Sequence, residues 1–581
     1  MLKTKRLLPA VQHWLRTNRA DLLVLLFFTV IACIYWYPLP LYLRTAQMEW
    51  PVVDPAFNQW IMAWDIHALF HYPARFFESN MFYPYPHTLS WGDHLFSLTL
   101  FAIPLVPLIG IVGAYNVLLL GSTALSAFTA YLLIFYLTKN RNASIVGGLL
   151  WGFTHYRNIE YGHLQILYTQ WIPLVFLYAE KLRQEYSRKH FILFMIFAFL
   201  MLATNLYLAL FTILSFLTYI FCLMVTRQTN LRTLLRLAVG WAAAGFFAIP
   251  LYLPSILLQL QHPIVRGYDH QISIFLHALL PWPWAGHPIR EAIEVWDGQS
   301  LPPGTYHTLG LLMFPLLVLA IVRLIIEWRK NKNWIILTFL VIGITGLLAG
   351  MGPNIRWYET LLTEQNLFYT VPYHFVPGYE TLRVPMRWFF LGLLGLAVVV
   401  SWGITKPLQK LKTSVQYGLI VLFTLWLLIE QAPLPIFVHP TYKLQDYPSE
   451  QWLADQPGEF AILQLPIFPG AGNYYNDVVE ARRMYLSTFH WKRRVGGAIS
   501  PYVPPEYAEN AKILNDLGAD PQALALLKSW QVQYVIYNPE DYLTLSFGYE
   551  RSEAVKTRLD AMPELAKVAE FSDATVYRIL P

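Results

Sequence analysis

Acidic and histidine side chains stand beside long apolar segments in the first third of the chain. Asp54 directly follows the first apolar run, Asp93 and His94 precede the second, and Glu160 and His163 follow the third. Carboxylates and imidazoles act as general bases and can hold a divalent metal ion. Their position at the ends of apolar runs predicts that any such chemistry takes place at a membrane surface.

Each of these carboxylates also has a purely structural interpretation. Asp54 is suited to cap a helix whose first residue is Pro55, and Asp93 is suited to cap a helix that follows it. Glu160 lies three residues after Arg157, a spacing at which two helical side chains form an ion pair. Residue types and spacing therefore leave the catalytic and the structural interpretations open.

Two arginines near the mouth of a later apolar run suggest an anion site. Arg383 and Arg387 occur in "YETLRVPMRW", four residues apart. This spacing predicts that they share one helix face, where two guanidinium groups are suited to a phosphate. The alternative is that both anchor the helix at the membrane interface.

Composition shows what kind of protein must position these side chains. The chain has 581 residues, of which 56% are hydrophobic and only 13% charged. That charged fraction is about half of what soluble domains carry, and apolar runs of roughly 18 residues or more recur along the first three quarters. A polytopic membrane protein is predicted. The net charge of +6 does not indicate nucleic-acid binding, because the basic residues form short clusters between apolar runs, where they set topology.

The basic clusters predict how the chain crosses the membrane. With the N-terminus cytoplasmic, the clusters fall inside when about eleven helices of roughly 20 residues cross the bilayer. The segment 94–112 is predicted not to cross, because Pro104 and Pro107 interrupt it. Residues 44–113 then form one outer loop with interfacial helices. The clusters lie at 138–142, 180–190, 226–236, 327–334 and 406–412.

The two ends of the chain differ in pattern, which predicts two domains. Residues 1–434 would form the α-helical transmembrane domain and 435–581 a soluble extracytoplasmic α/β domain. In the latter, "EFAILQLP", "VQYVIYNP" and "ATVYRIL" are typical of short buried strands, whereas "PPEYAENAKILNDL" and "DPQALALLKSW" are typical of helices. The run "HWKRR" at 490–494 is predicted to be a solvated face, with contact to anionic lipid or glycan as the alternative.

Three features together resemble the GT-C superfamily of membrane glycosyltransferases. An acidic residue, Asp54, opens a long first outer loop. A Gly-Asp-His segment at 92–94 leads into a proline-broken helix, and a second polar cluster follows the third span. The stretches "LRVPMRW" and "STFHWKRRVGGAISPY" also resemble uncharacterised bacterial relatives of that superfamily. The resemblance covers roughly residues 20–430. One difference is that many members carry two adjacent acidic residues where this chain has Asp54 and Pro55.

The resemblance implies a function and its partners. The donor would be a sugar on a polyprenyl phosphate, and transfer would take place on the extracytoplasmic face of a bacterial inner membrane. The sugar and the acceptor are not implied. A different interpretation is a non-catalytic scaffold or assembly subunit that keeps the transmembrane body and binds a partner through its outer domain. A transporter fits less well, because the polar residues lie at the ends of the spans rather than at their centres.

The resemblance also implies roles for the residues named above. Asp54 would be the base that deprotonates the acceptor hydroxyl. The polar residues implied to bind the substrate are Asp93, His94, Arg383 and Arg387. Glu160 and His163 match the place of a second acidic or metal-binding motif, so a divalent metal, Mg²⁺ or Mn²⁺, is an open expectation.

Overall fold

The computed structural model describes most of the chain and divides it into two compact units. The described residues are 16–48, 53–93, 95–263, 265, 268, 273–274, 276–279, 309–329, 332–357, 360–432, 436–470, 474–498, 503–544 and 549–581. The first unit comprises Met1–Leu41, Val117–Ile249 and Ile264–Ile436, and the second comprises Tyr42–Asn116, Pro250–Pro263 and Phe437–Pro581. The predicted division at residue 434 stays a prediction.

The first unit is helical, as the apolar runs predict. Its helices are Arg19–Tyr35, Arg141–Gly152, Tyr156–Ile159, Leu164–Leu167, Trp171–Gln184, Arg188–Leu202, Leu206–Val225, Met313–Trp328, Trp334–Gly350, Leu367–Phe375, Phe389–Gln409 and Thr413–Gln431. Short 3-10 turns are Leu39–Leu41, Leu276–Leu279, Tyr379–Thr381 and Pro385–Trp388. Two strands, Ile355–Trp357 and Thr360–Thr363, form an antiparallel hairpin.

Two long helices belong partly to each unit, namely Val106–Thr138 and Leu231–Gln261. Within the described residues, five helices are long and apolar enough to cross a membrane by length and composition. They are Val106–Thr138, Leu206–Val225, Leu231–Gln261, Pro385–Gln409 and Thr413–Gln431. The predicted total of about eleven crossings and their orientation stay predictions.

The centre of the first unit is the helix Phe389–Gln409, which is buried along nearly its whole length. It packs closely on Trp334–Gly350 because both helices present glycines at the contact. A Cβ atom added at Gly346 would lie 2.6 Å from the Gly392 nitrogen, and one at Gly395 would lie 2.5 Å from a partner backbone nitrogen. Small residues of this kind let helix backbones approach each other in membranes. This close packing holds the central helix in a fixed position in the first unit.

The second unit combines helices with a five-stranded sheet. The helices are Asp54–His71, Phe96–Ala102, Pro448–Asp455, Tyr474–Ser487, Tyr507–Asn515, Pro521–Ser529, Pro539–Thr544 and Tyr549–Ala561, with 3-10 turns Pro73–Arg75, Thr88–Trp91 and Leu444–Asp446. In spatial order the strands are Arg493–Arg494, Ala461–Leu465, Val532–Tyr537, Thr575–Ile579 and Leu565–Glu570. The first three are parallel, and the last two pair antiparallel. A short separate pair joins Ala46–Gln47 to His439–Pro440.

Several local predictions for this unit agree with the structure. The three stretches expected to be strands are Ala461–Leu465, Val532–Tyr537 and Thr575–Ile579. Asp520 caps its helix by accepting a 2.8 Å hydrogen bond from the Gln522 amide. That 435–581 folds as a separate outer domain stays a prediction, since the compact unit also contains earlier parts of the chain.

The segment 94–112 has the predicted break. The helix Phe96–Ala102 ends before Pro104, and the next helix, Val106–Thr138, begins two residues later and contains Gly110 with a φ of 75°. A helix of seven residues is too short to span a bilayer, which needs about 20.

Candidate active site

A buried ion pair joins Glu160 to Arg387 in the first unit. Arg387 Nε lies 3.1 Å from Glu160 Oε1, and Arg387 Nη2 lies 3.0 Å from Oε2. The two side chains are 9% and 3% exposed. Two parallel contacts between a guanidinium and a carboxylate are the strong geometry for this kind of pair. Arg387 lies in the turn Pro385–Trp388, which leads into the central helix, so a long-range contact fixes the loop that contains Glu160.

Two further groups complete the surroundings of the Glu160 carboxylate. The Tyr156 hydroxyl donates to Oε1 at 3.1 Å, and His163 Nδ1 lies 3.1 Å from Oε2. Burial by itself raises the pKa of this carboxyl, but the charges of Arg387 and His163 outweigh burial and hold the pKa below its usual range. Glu160 is therefore ionised at neutral pH.

The structural alternative for Glu160, a pair with Arg157, is wrong. Arg157 is fully buried and donates to the Leu167 carbonyl at 3.0 Å and to the Thr169 hydroxyl at 2.8 Å. Its guanidinium group also lies 5.3 Å from the centre of the Phe390 ring. Arg157 thus fastens the segment that follows it.

The expectation that Arg383 and Arg387 share one helix face is also wrong. Arg383 precedes the short turn Pro385–Trp388, and its side chain is exposed, whereas Arg387 is buried. The Tyr207 ring connects them, because its hydroxyl accepts the Arg383 backbone N–H at 2.9 Å and the Arg387 guanidinium lies 4.7 Å from its centre. No ion pair to Arg383 is formed by the residues that the structure describes. Arg383 is accordingly the better candidate for an external phosphate.

The described part of the chain contains no donor set that suits the expected metal ion. There, no group of three or more histidine, cysteine, aspartate or glutamate side chains could hold a metal ion. The Glu160 carboxylate is already neutralised by Arg387, which removes the charge that would attract a cation. Glu160 and His163 therefore do not fit a metal site.

Asp54 lies in the second unit, at the start of the helix Asp54–His71. The residue before it, Val53, occupies the capping position, so Asp54 is in the first turn and half-buried. Ala56 shares an apolar cluster with Ala481 of the helix Tyr474–Ser487, and Val53 packs against that cluster. This contact holds the first turn, and with it Asp54, in one place.

The same contact brings a second carboxylate toward Asp54. Asp477 lies one turn before Ala481 and therefore on the same face of its helix. Burial, and after it the charges of Asp54 and Glu480, raises the pKa of Asp477 to about 6. Sequence reasoning missed Asp477, since nothing local in "YYNDVVEARR" indicates which distant carboxylate it meets.

Of Asp93 and His94, the structure describes only Asp93. Asp93 is half-buried between the turn Thr88–Trp91 and the helix Phe96–Ala102, whose capping position is occupied by Leu95. His94 lies outside the described residues. The substrate-binding role of both stays a prediction.

We expect Asp477→Asn to stabilise the protein at neutral pH. The folded-state pKa of Asp477 is raised, so ionisation costs stability as the pH rises through about 6. Asn removes that cost, which solvent screening of this half-buried group limits to about 1 kcal/mol. The melting temperature of the variant in detergent should exceed that of the wild type at pH 7.5, with the two close together at pH 4. An equal gain at both pH values would show that the pKa of Asp477 is not raised in the folded protein.

Comparison with known proteins shows which solved structures have a similar fold. No family model matches the chain, and no curated protein matches it by sequence. Among solved structures, the arabinofuranosyltransferase AftD from Mycobacteria is similar, with a TM-score of 0.57 at 13% identity, over 97% of this chain and 40% of that one. The oligosaccharyltransferase from Archaeoglobus fulgidus has a TM-score of 0.50 at 11% identity, over 92% of this chain and 72% of that one.

At 13% identity or less, these likenesses show a shared fold, and the fold that the sequence resemblance implied is confirmed to that extent. This chain spans less than half the length of the arabinofuranosyltransferase.

Proposed function

We propose that the chain is a membrane glycosyltransferase that moves a sugar from a polyprenyl-phosphate donor to an acceptor on the extracytoplasmic face. The observation that carries the proposal is Asp54, a half-buried carboxylate held at the start of a packed helix with Asp477 nearby. A fold alone does not define a reaction. A fold shared with an arabinofuranosyltransferase and an oligosaccharyltransferase, together with such a carboxylate, favours sugar transfer over other membrane functions.

Asp54 would act as the general base. It takes the proton of the acceptor hydroxyl while that oxygen forms a bond to the anomeric carbon of the sugar. The bond between the anomeric carbon and the phosphate oxygen breaks, and its electron pair leaves with the polyprenyl phosphate.

Arg383 would bind a lipid phosphate. It is the exposed member of the arginine pair, and its backbone is held by Tyr207. A charge-assisted contact to a phosphate stabilises the charge that develops on a leaving group. Arg387, which is neutralised by Glu160, would position the start of the central helix rather than bind the phosphate itself.

A transfer assay in membranes tests the proposal. Membranes that contain the overproduced protein are incubated with radiolabelled pentosyl and hexosyl polyprenyl phosphates, and lipid-linked or polymeric products are separated by chromatography. We expect label to move to an endogenous acceptor in proportion to the amount of protein. Absence of transfer from every donor would refute the enzyme and leave the scaffold interpretation.

The proposed orientation predicts where the ends of the chain lie. A reporter enzyme that works only outside the cytoplasm should be active when fused at residue 580 and silent when fused at residue 185, because the Lys and Arg clusters face the cytoplasm. Activity of the fusions is measured at equal protein amounts. The opposite result would invert the topology and place Asp54 on the cytoplasmic side.

A further inference from the structure

The cationic groups of the 490–494 run, in the second unit, are engaged within the protein. The partners are Glu450 for His490, the Gln456 and Gly458 carbonyls for Lys492, Glu459 for Arg493 and Glu480 for Arg494. His490, Lys492 and Arg494 are also largely buried, so the predicted solvated face is wrong for these three. A run whose charges are compensated in this way does not form a basic patch for anionic lipid.

Trp491, in the middle of this run, is placed by an unusual backbone conformation. Its φ is 57°, in the left-handed region that bulky residues rarely adopt, and its amide donates to the Ser487 carbonyl at 2.7 Å. The turn sets the indole on the imidazole of His67, with 4.4 Å between ring centres and 16° between ring planes. Residues in sparsely populated conformations occur preferentially at functional sites.

The stack continues along the helix Asp54–His71 to the protein surface. The His67 and His71 rings are 4.5 Å apart at 26°, and the Tyr72 ring meets His67 edge-on at 5.7 Å. His71 and Tyr72 are exposed. Burial, followed by the charge of His71, lowers the pKa of His67 to about 4, so the middle ring is uncharged at neutral pH.

A polar rim borders these rings. The Tyr72 hydroxyl donates to Glu459 Oε1 at 2.7 Å, and Arg493 Nη2 donates to Glu459 Oε2 at 2.9 Å. The Glu459 and Arg493 side chains are 63% and 43% exposed. Both retain hydrogen-bonding capacity toward solvent, since a carboxylate accepts about four hydrogen bonds and a guanidinium donates five.

We infer that His67, His71, Tyr72 and Trp491, with the rim of Glu459 and Arg493, form a binding surface for an uncharged saccharide. The apolar C–H face of a pyranose or furanose ring packs on an exposed aromatic ring, and its hydroxyls match the mixed donors and acceptors of the rim. The compensated charges exclude a strong preference for anions. The inference deepens the proposed function and rests on it, because the saccharide would be part of the acceptor.

The test measures saccharide binding by the full-length chain in nanodiscs of phosphatidylcholine. The probes are neutral oligosaccharides of two to six hexose or pentose units, printed as an array, and binding to the best probe is then titrated by tryptophan fluorescence. We expect His71→Ala and Tyr72→Ala each to weaken binding about tenfold, as removal of a stacking ring does. Glu459→Gln should weaken it without changing the melting temperature. Phe437→Ala, at an exposed aromatic residue outside the set, serves as the matched control and should bind as the wild type does.

The outcomes separate this inference from the proposed function. Binding that is lost in the ring variants but kept in Phe437→Ala supports the saccharide surface, whether or not the protein transfers sugar. An array that stays blank, or ring variants that bind normally, would overturn the surface even if transfer is observed.

Discussion

Asp54→Asn should abolish sugar transfer while the protein still folds and inserts into the membrane. General-base catalysis typically contributes about 100- to 10,000-fold in rate. Asparagine has nearly the same shape as aspartate, and Asp54 is not the capping residue of its helix, so the fold should tolerate the change, but the amide cannot take up the acceptor proton. The initial rate with a radiolabelled polyprenyl-phosphate sugar should therefore fall by a factor in that range. The melting temperature in detergent should stay close to that of the wild type.

The chain offers a matched control for this substitution. Asp520 also stands at the start of a helix, is joined to the Gln522 amide by a 2.8 Å hydrogen bond, and lies away from the candidate site in sequence. Asp520→Asn makes the same chemical change and should transfer sugar at the wild-type rate. Near-normal transfer by Asp54→Asn would show that Asp54 takes no part in catalysis. Equal losses of transfer in both variants would point to a defect of folding.

Local features of the second unit could be predicted because a short pattern determines them. The strand Val532–Tyr537 is a continuous apolar run between turn residues, and a buried strand is what such a run forms. Asp520 followed by Pro521 is a helix start in sequence and in structure. In these cases neighbouring residues supply both the signal and the partner, so no knowledge of the tertiary fold is needed.

The site depends on contacts between distant residues, which the sequence does not specify. Glu160 has a cation three residues before it, yet its partner is Arg387, far along the chain. Local spacing favours the wrong arginine because it carries no information on the tertiary fold, which brings the start of the central helix to the loop that contains Glu160. Asp477 could not be predicted for the same reason, since an apolar cluster that includes Ala56 and Ala481 joins its helix to the helix of Asp54.

The 490–494 run shows how burial changes the meaning of a charged stretch. Five polar or aromatic residues in a row usually indicate solvent. Here a two-residue edge strand, Arg493–Arg494, pairs with Ala461–Leu465, and the residues beside it are buried as a result. Arg494 is then neutralised by Glu480 and Lys492 by backbone carbonyls. The sequence indicates the charges, but the structure shows that these carboxylates and carbonyls stand opposite them.

Arg387→Ala should destabilise the protein by about 3–5 kcal/mol, because it leaves the buried Glu160 carboxylate without its partner. Glu160→Gln should cost a similar amount by leaving Arg387 uncompensated. The double variant should cost less than the sum of the two, since neither charge is then left alone. The three free energies of unfolding are measured in mixed micelles, where reversible denaturation is followed by circular dichroism. Additive effects would show that the pair does not form.

The pH dependence of this stability has a definite sign. The pKa of Glu160 is lower in the folded state than in the unfolded chain, so the folded state binds the proton less tightly. Its contribution to stability is complete above the unfolded pKa, about 4.3, and is lost as the pH falls toward the lowered folded-state pKa. The difference in melting temperature between wild type and Arg387→Ala should therefore be largest at neutral pH and shrink below pH 4.

Arg383→Ala separates stability from phosphate binding. Arg383 is exposed, so its removal should leave the melting temperature nearly unchanged. If it holds the lipid phosphate, the affinity for the donor should fall roughly 10- to 150-fold, as loss of a charge-assisted contact does. Arg383→Lys should recover only part of that affinity, because a lysine provides a point charge in place of a planar fork. Unchanged donor affinity in Arg383→Ala, with a large loss in a refolded Arg387 variant, would assign the phosphate to the buried arginine and require Glu160 to release it during the reaction.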